Sequence, residues 1–108
     1  MANYRDRLRR LAVNDPRQLE DALSAASEPA AVDPRTLSLA RLAALIAVGG
    51  SEPTFGESTD AALSAGASAD EIVDVLTGIA SVVGVPRVVS AASSLALALG
   101  VDVESVLD

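Results

Sequence analysis

Apolar side chains recur along most of the chain at spacings of three and four, the period of a helix with one buried face. Tyr4, Leu8, Leu11 and Ala12 fall on one stripe. Asn14-Asp15-Pro16 interrupts it, and Asp15-Pro16-Arg17-Gln18 starts the next helix, with an N-cap acid, proline at the first position and glutamine at the third. Leu19, Ala22, Leu23 and Ala26 share the face that follows. After an alanine-rich linker from Ser27 to Val32, Asp33-Pro34 repeats the start signal, the apolar run Leu37 to Val48 follows, and Gly49-Gly50 ends it. Ser51-Glu52-Pro53 starts a helix that passes through Ala61-Ala62-Leu63 and stops at Gly66. Ser68-Ala69-Asp70-Glu71 has the form of a capping box, in which serine takes a backbone N–H and glutamate reaches back. Ile72, Val75, Leu76 and Ile79 continue that helix. Gly84-Val85-Pro86 separates it from the last long helix, Arg87 to Leu99, which Gly100 closes before a final turn from Asp102 to Leu107. Val82-Val83 and Val88-Val89 do not alternate with polar residues, so no strand is expected. The pattern predicts an all-α bundle of about six helices, with residues 1–32 as an N-terminal helical segment and 33–108 as the main helical domain.

Composition adds an argument about assembly. Half of the 108 residues are hydrophobic, yet only 2% are aromatic. Helices 34–48 and 86–99 are apolar almost all round, and such helices need cover on every side. A chain of this length has little interior in which to hide two of them. Small side chains also let helix axes approach closely. The expectation is a homo-oligomer with a largely apolar interface; a compact monomer with exposed alanine is the alternative.

Charge and missing residue types exclude several functions. The net charge is −7, from 8 arginines and 15 acids. Residues 1–41 carry seven arginines against six acids, whereas residues 42–108 carry Arg87 alone against nine. Arg5, Arg7, Arg9 and Arg10 cluster but are interrupted by Asp6, which reads as a solvated helix face rather than a phosphate footprint, and no nucleic acid is expected as a partner. Only Arg87 is charged between Val75 and Val101, a run long enough to cross a bilayer. The Gly84-Val85-Pro86 break and the central arginine argue against a span. The basic N-terminus lacks the apolar run of a signal peptide, so a cytoplasmic location is expected. There is no cysteine and no histidine. That excludes thiol redox chemistry, disulfides and thiolate metal sites, and removes the usual neutral-pH general base. No metal and no cofactor are expected.

Four segments, in order, carry a resemblance. They are Asp33-Pro34-Arg35-Thr36 before the apolar helix, Ala61-Ala62-Leu63-Ser64-Ala65-Gly66-Ala67, Ser68-Ala69-Asp70-Glu71-Ile72-Val73-Asp74-Val75-Leu76, and Gly84-Val85-Pro86-Arg87. Together they resemble the carboxymuconolactone decarboxylase family, which is grouped with the alkylhydroperoxidase D-like proteins. The resemblance implies an all-α fold assembling into trimers or hexamers. Redox members place Cys-x-x-Cys at the start of the helix before Ala-Ala-Leu and a histidine four residues after the second cysteine. Those positions fall here on Ser51, Thr54 and Ser58, and a glutamate of the preceding helix falls on Ser38. Hydroxyls stand at all four, so dithiol peroxide reduction is chemically impossible. Decarboxylase members lack the cysteine pair; the missing histidine weighs against that branch.

Ser51, Thr54 and Ser58 are spaced to share one helix face, which makes them, with Ser38, candidates for binding a polar small molecule. The plainer alternative is that they bond to backbone carbonyls four residues back or to water. Glu52 and Glu57 are the only carboxylates close to this face in sequence, and they are the candidates for general acid or base work. Both can equally be solvated surface acids. Asp60, Asp70, Glu71 and Asp74 read as caps or solvated charge. Arg41 and Arg87 stand alone among apolar residues, where an ion pair with an acid is favoured over a ligand anchor. The expected function is therefore a non-redox homo-oligomer that binds a small molecule. A cofactor-free decarboxylase or lyase using a carboxylate, and a structural or partner-binding oligomer, are the alternatives. Whether the protein is an enzyme stays open at this level.

Overall fold

A computed structural model describes residues 3–24 and 31–103. The described residues form seven helices and no strand: α1 Tyr4–Ala12, α2 Pro16–Leu23, α3 Pro34–Val48, α4 Glu52–Ser64, α5 Ala69–Gly78, α6 Ala80–Val83 and α7 Val85–Ala98. The all-α expectation holds. The expected Ser27–Val32 linker and the Asp102–Leu107 turn lie largely outside the described residues.

Side-chain caps start five of these helices. Asn3, Asp15, Asp33, Ser51 and Ser68 each accept a backbone N–H from the first turn of the helix that follows, which satisfies donors that have no partner inside the helix. At α5 the capping box is complete: Glu71 N–H donates to Ser68 Oγ at 3.0 Å and Ser68 N–H donates to Glu71 Oε1 at 3.0 Å. The other carboxylate oxygen of Glu71 takes Arg35 Nη1 from α3, an ion pair that ties α3 to α5. The Ser68 N–H, and then Arg35, hold the Glu71 carboxyl below its ordinary pKa. At α3 the Thr36 hydroxyl and N–H do the same to Asp33.

The chain divides into two compact units, Met1–Ala31 and Val32–Asp108. In the first, α1 and α2 pack on each other through Asn14, whose φ of 62° lies in the left-handed region that asparagine tolerates better than most residues. Neither helix buries a residue. In the second unit, Leu42 and Ile46 of α3, Phe55, Thr59 and Ala62 of α4, Ile72 and Leu76 of α5, and Ala91 and Leu95 of α7 form the core, closed by Ala67. Each helix contributes positions three or four apart, so one stripe per helix faces inward. α4 is central and packs most extensively on α7 and α3.

One boundary differs from the sequence expectation. The helix expected to run from Ser68 to the Gly84 turn is two helices, broken at Ile79, where φ is −96° and ψ is 1°. The described residues therefore hold seven helices rather than about six. Gly78, a poor helix former, precedes the break. The run Val75–Val101 is thereby divided among α5, α6 and α7, and no described helix is long and apolar enough to cross a membrane.

Candidate functional site

α3 packs on α4, and an open hollow of about 310 Å³ lies between them, lined by Ser38, Arg41 and Leu45 of α3 and by Thr54, Glu57, Ser58 and Ala61 of α4. The spacing explains the convergence. Positions 38, 41 and 45 form one i, i+3, i+7 row, and 54, 58 and 61 form an i, i+4, i+7 row on the facing helix. The adjoining faces of the same helices, about a quarter-turn round, carry Leu42, Ile46, Phe55 and Ala62 into the core, which fixes both backbones beside the hollow.

Three of the four hydroxyl candidates, Ser38, Thr54 and Ser58, thus come together, and Glu57 joins them. Ser51 does not line the hollow. It is the N-cap of α4: its Oγ takes Thr54 N–H at 3.3 Å and lies 2.9 Å from Thr54 Oγ1. Its effect on the hollow runs through the orientation of the Thr54 hydroxyl. Glu52 stands elsewhere, in a second hollow with Ser93, Leu97, Val101, Asp102 and Val103. Among the described residues, the Ser38 and Ser58 hydroxyls make no hydrogen bond, not even to the carbonyl four residues back. Both are half-buried, so their bonding capacity is directed at the hollow and at solvent.

Arg41 is the residue whose place the linear pattern obscured. It reads there as an isolated charge with an acid for a partner, yet no acid pairs with it among the described residues; the ion pairs there are Arg10–Asp6 and Arg35–Glu71. Its position three residues after Ser38 is the signal that puts it on the same face. Arg87 likewise has no acid. Its Nη1 donates to the Val48 carbonyl at 3.4 Å, at the C-terminal end of α3, where cations are favoured. The chain turns there at Gly49, whose φ is 83° and where a Cβ would stand 2.6 Å from that nitrogen. Arg87 therefore fixes a helix end, not the hollow.

The hollow combines one guanidinium, one carboxylate, three hydroxyls and two apolar walls. These groups can orient a polar molecule, and Glu57 is the single group there suited to accept a proton. A serine nucleophile lacks an imidazole or amine to activate it. Among the described residues, no group of histidine, cysteine, aspartate or glutamate side chains is placed to hold a metal ion.

A family model described as the carboxymuconolactone decarboxylase family matches residues 16–98, more than half of the chain. No curated protein and no solved structure matches it.

Proposed function

The chain belongs to the carboxymuconolactone decarboxylase family, as a divergent member without cysteine, and from that premise we propose that it is a homo-oligomer that binds a small molecule in the α3–α4 hollow and carries out no dithiol chemistry. The observation that carries this reading is the convergence of Ser38, Thr54 and Ser58. These are the positions that the family resemblance assigns to a glutamate, the second cysteine and the histidine of redox members. The place of the reactive groups is kept as a hollow, and its chemistry is replaced by hydroxyls, Arg41 and Glu57. A volume of about 310 Å³ falls at the small end of ordinary ligand sites.

Assembly into a trimer or hexamer is supported by what one chain leaves uncovered. Val85, Val89 and Leu97 of α7 are exposed at multiples of four, with Val82 beside them on α6. An apolar row of this kind marks a surface suited to association. Native mass spectrometry of gently purified protein tests both parts. The expected spectrum is a trimer or hexamer carrying extra small-molecule mass, with Ser58→Leu keeping the oligomer and losing the mass. A bare monomer overturns the reading.

Glu57 in the hollow favours a second reading: a cofactor-free decarboxylase, in which its carboxyl group gives a proton to the carbon that loses carbon dioxide, or a lyase, in which its carboxylate takes the proton removed from the substrate. Under that reading Glu57→Gln abolishes turnover and leaves the fold intact. Unchanged turnover removes Glu57 from the mechanism.

A further inference from the structure

We infer that the hollow takes a small zwitterion with an apolar side chain, an α-amino acid or a close analogue; this rests on the reading of the hollow as a ligand site. Arg41 on α3 and Glu57 on α4 line it from its two facing helices. They do not pair with each other, and among the described residues neither has another ionic or hydrogen-bond partner. A cation and an anion that line one hollow without pairing present a dipole to whatever enters it.

Each simpler ligand class leaves part of that dipole unanswered. A carboxylic acid satisfies Arg41 and is repelled by Glu57. An amine satisfies Glu57 and is repelled by Arg41. An uncharged apolar molecule strips water from both charges and returns no hydrogen bond. A zwitterion answers both. Its carboxylate takes the two parallel N–H donors of a guanidinium, and its ammonium donates to the Glu57 carboxylate. The Ser38 and Ser58 hydroxyls, which lack partners among the described residues, are available to the remaining polar atoms, and Leu45 and Ala61 give an aliphatic side chain a surface to cover.

The long-range field weighs against one of these classes, the carboxylic acid. Residues 32–108 carry three arginines against ten acids, and such a surface disfavours the approach of an anion. A molecule with no net charge is not turned away.

The test uses the full chain, labelled with ¹⁵N, and three probes that differ only in charge: leucine, 4-methylpentanoate, which lacks the ammonium, and 3-methylbutylamine, which lacks the carboxylate. Because both charged groups are exposed, leucine is expected to bind with a Kd on the order of 1 mM and to move the amide signals of Ser38, Arg41, Glu57 and Ser58. Each singly charged probe is expected to bind about tenfold more weakly, the effect of roughly 1.4 kcal/mol. Arg41→Gln and Glu57→Gln should each weaken leucine by a similar factor, and Arg41→Gln should also erase the preference for leucine over the amine. If 4-methylpentanoate binds as tightly as leucine, the zwitterion is overturned and the small-molecule site stands. If no probe moves these signals, the zwitterion is overturned too. The site itself is then judged separately, by whether wild-type protein retains small-molecule mass that Ser58→Leu loses.

Discussion

Helices α1 and α2 of the first unit and helices α3 to α5 of the second are started by the same devices, and the two groups differ in what they bury. Asn3 and Asp15 cap the first pair as Asp33, Ser51 and Ser68 cap the three of the second group. The apolar stripe of α1, Tyr4, Leu8 and Leu11, is set off by charged residues, whereas α3 is apolar over most of its surface. Yet α1 and α2 bury no residue and α3 buries Leu42 and Ile46. A clear amphipathic pattern therefore specifies a helix and the face it offers, but not that something covers that face. Most helix stability in a folded protein comes from packing rather than local preference. The two units should accordingly respond very differently to the same kind of substitution.

The largest difference is expected in paired leucine truncations. Leu42 is 0% exposed and Leu8 is 64% exposed. Leu42→Ala removes a core side chain from between α3 and its neighbours, and should cost about 2–5 kcal/mol, enough to abolish or strongly lower the thermal transition. Leu8→Ala should change stability by less than about 0.5 kcal/mol. Urea denaturation of the two variants measures both. A loss at Leu8 comparable to that at Leu42 would mean the N-terminal helix is covered in solution, and the comparison would break.

Thr59 offers a change of opposite sign. Its side chain is 0% exposed, in the core stripe of α4, and its Oγ1 has no hydrogen-bond partner. An unsatisfied buried hydroxyl costs about 1–3 kcal/mol. Thr59→Val keeps the shape and removes the hydroxyl, and should raise stability by about 1 kcal/mol, or roughly 4–8 °C in Tm for a domain of this size. No gain, or a loss, would show that the hydroxyl is satisfied in solution. Polar groups on α1 and α2 reach water, and the same kind of replacement there should give no gain.

Caps separate the units again, at smaller cost. Ser68→Ala removes the acceptor for Glu71 N–H in a helix whose far side, Ile72 and Leu76, is in the core. It should lower stability by about 1 kcal/mol and shift the whole transition. Asp15→Ala removes the equivalent bond to Arg17 N–H, but α2 anchors no buried side chain. It should reduce the helical circular-dichroism signal and leave the midpoint in place. A shifted midpoint would couple the first unit to the second.

What could be read from the sequence follows the same division. Caps and stops are local, so Asp15, Asp33, Ser51 and Ser68 as starts and Gly49 and Gly84 as turns were all legible. The face shared by Thr54 and Ser58 was legible too, because it depends only on helical spacing. The break at Ile79 was not, since Gly78 alone does not distinguish a weak point from an end. The Arg35–Glu71 pair joins residues 36 apart, and nothing in either neighbourhood announces it. Arg41 was visible as a charge, but that it lines the same hollow as Glu57 depends on how α3 packs on α4. Local chemistry writes the elements; packing decides which of their faces form a site.

The smallest expected effect lies in the pH dependence of the second unit. Glu71 has its pKa lowered from an ordinary 4.5 by the Ser68 N–H and Arg35, and Asp33 from 3.8 by the Thr36 hydroxyl and N–H. A carboxyl with a lower pKa in the folded state binds its proton more readily when unfolded. Its contribution to stability is therefore fully present above the unfolded value and is lost as pH falls through the folded one. For Glu71 the loss begins near pH 4.5 and extends below it; for Asp33 it begins near pH 3.8. Both carboxyls face solvent, so salt should shrink the part due to Arg35 and leave the part due to the N–H donors. Glu71→Gln should lower stability at pH 7 and flatten the acid limb of the stability curve between pH 4.5 and the folded value. Urea midpoints across that range, at low and high salt, measure it. An acid limb as steep in Glu71→Gln as in the wild type would locate the acid sensitivity elsewhere and leave the α3–α5 tie without a part in it.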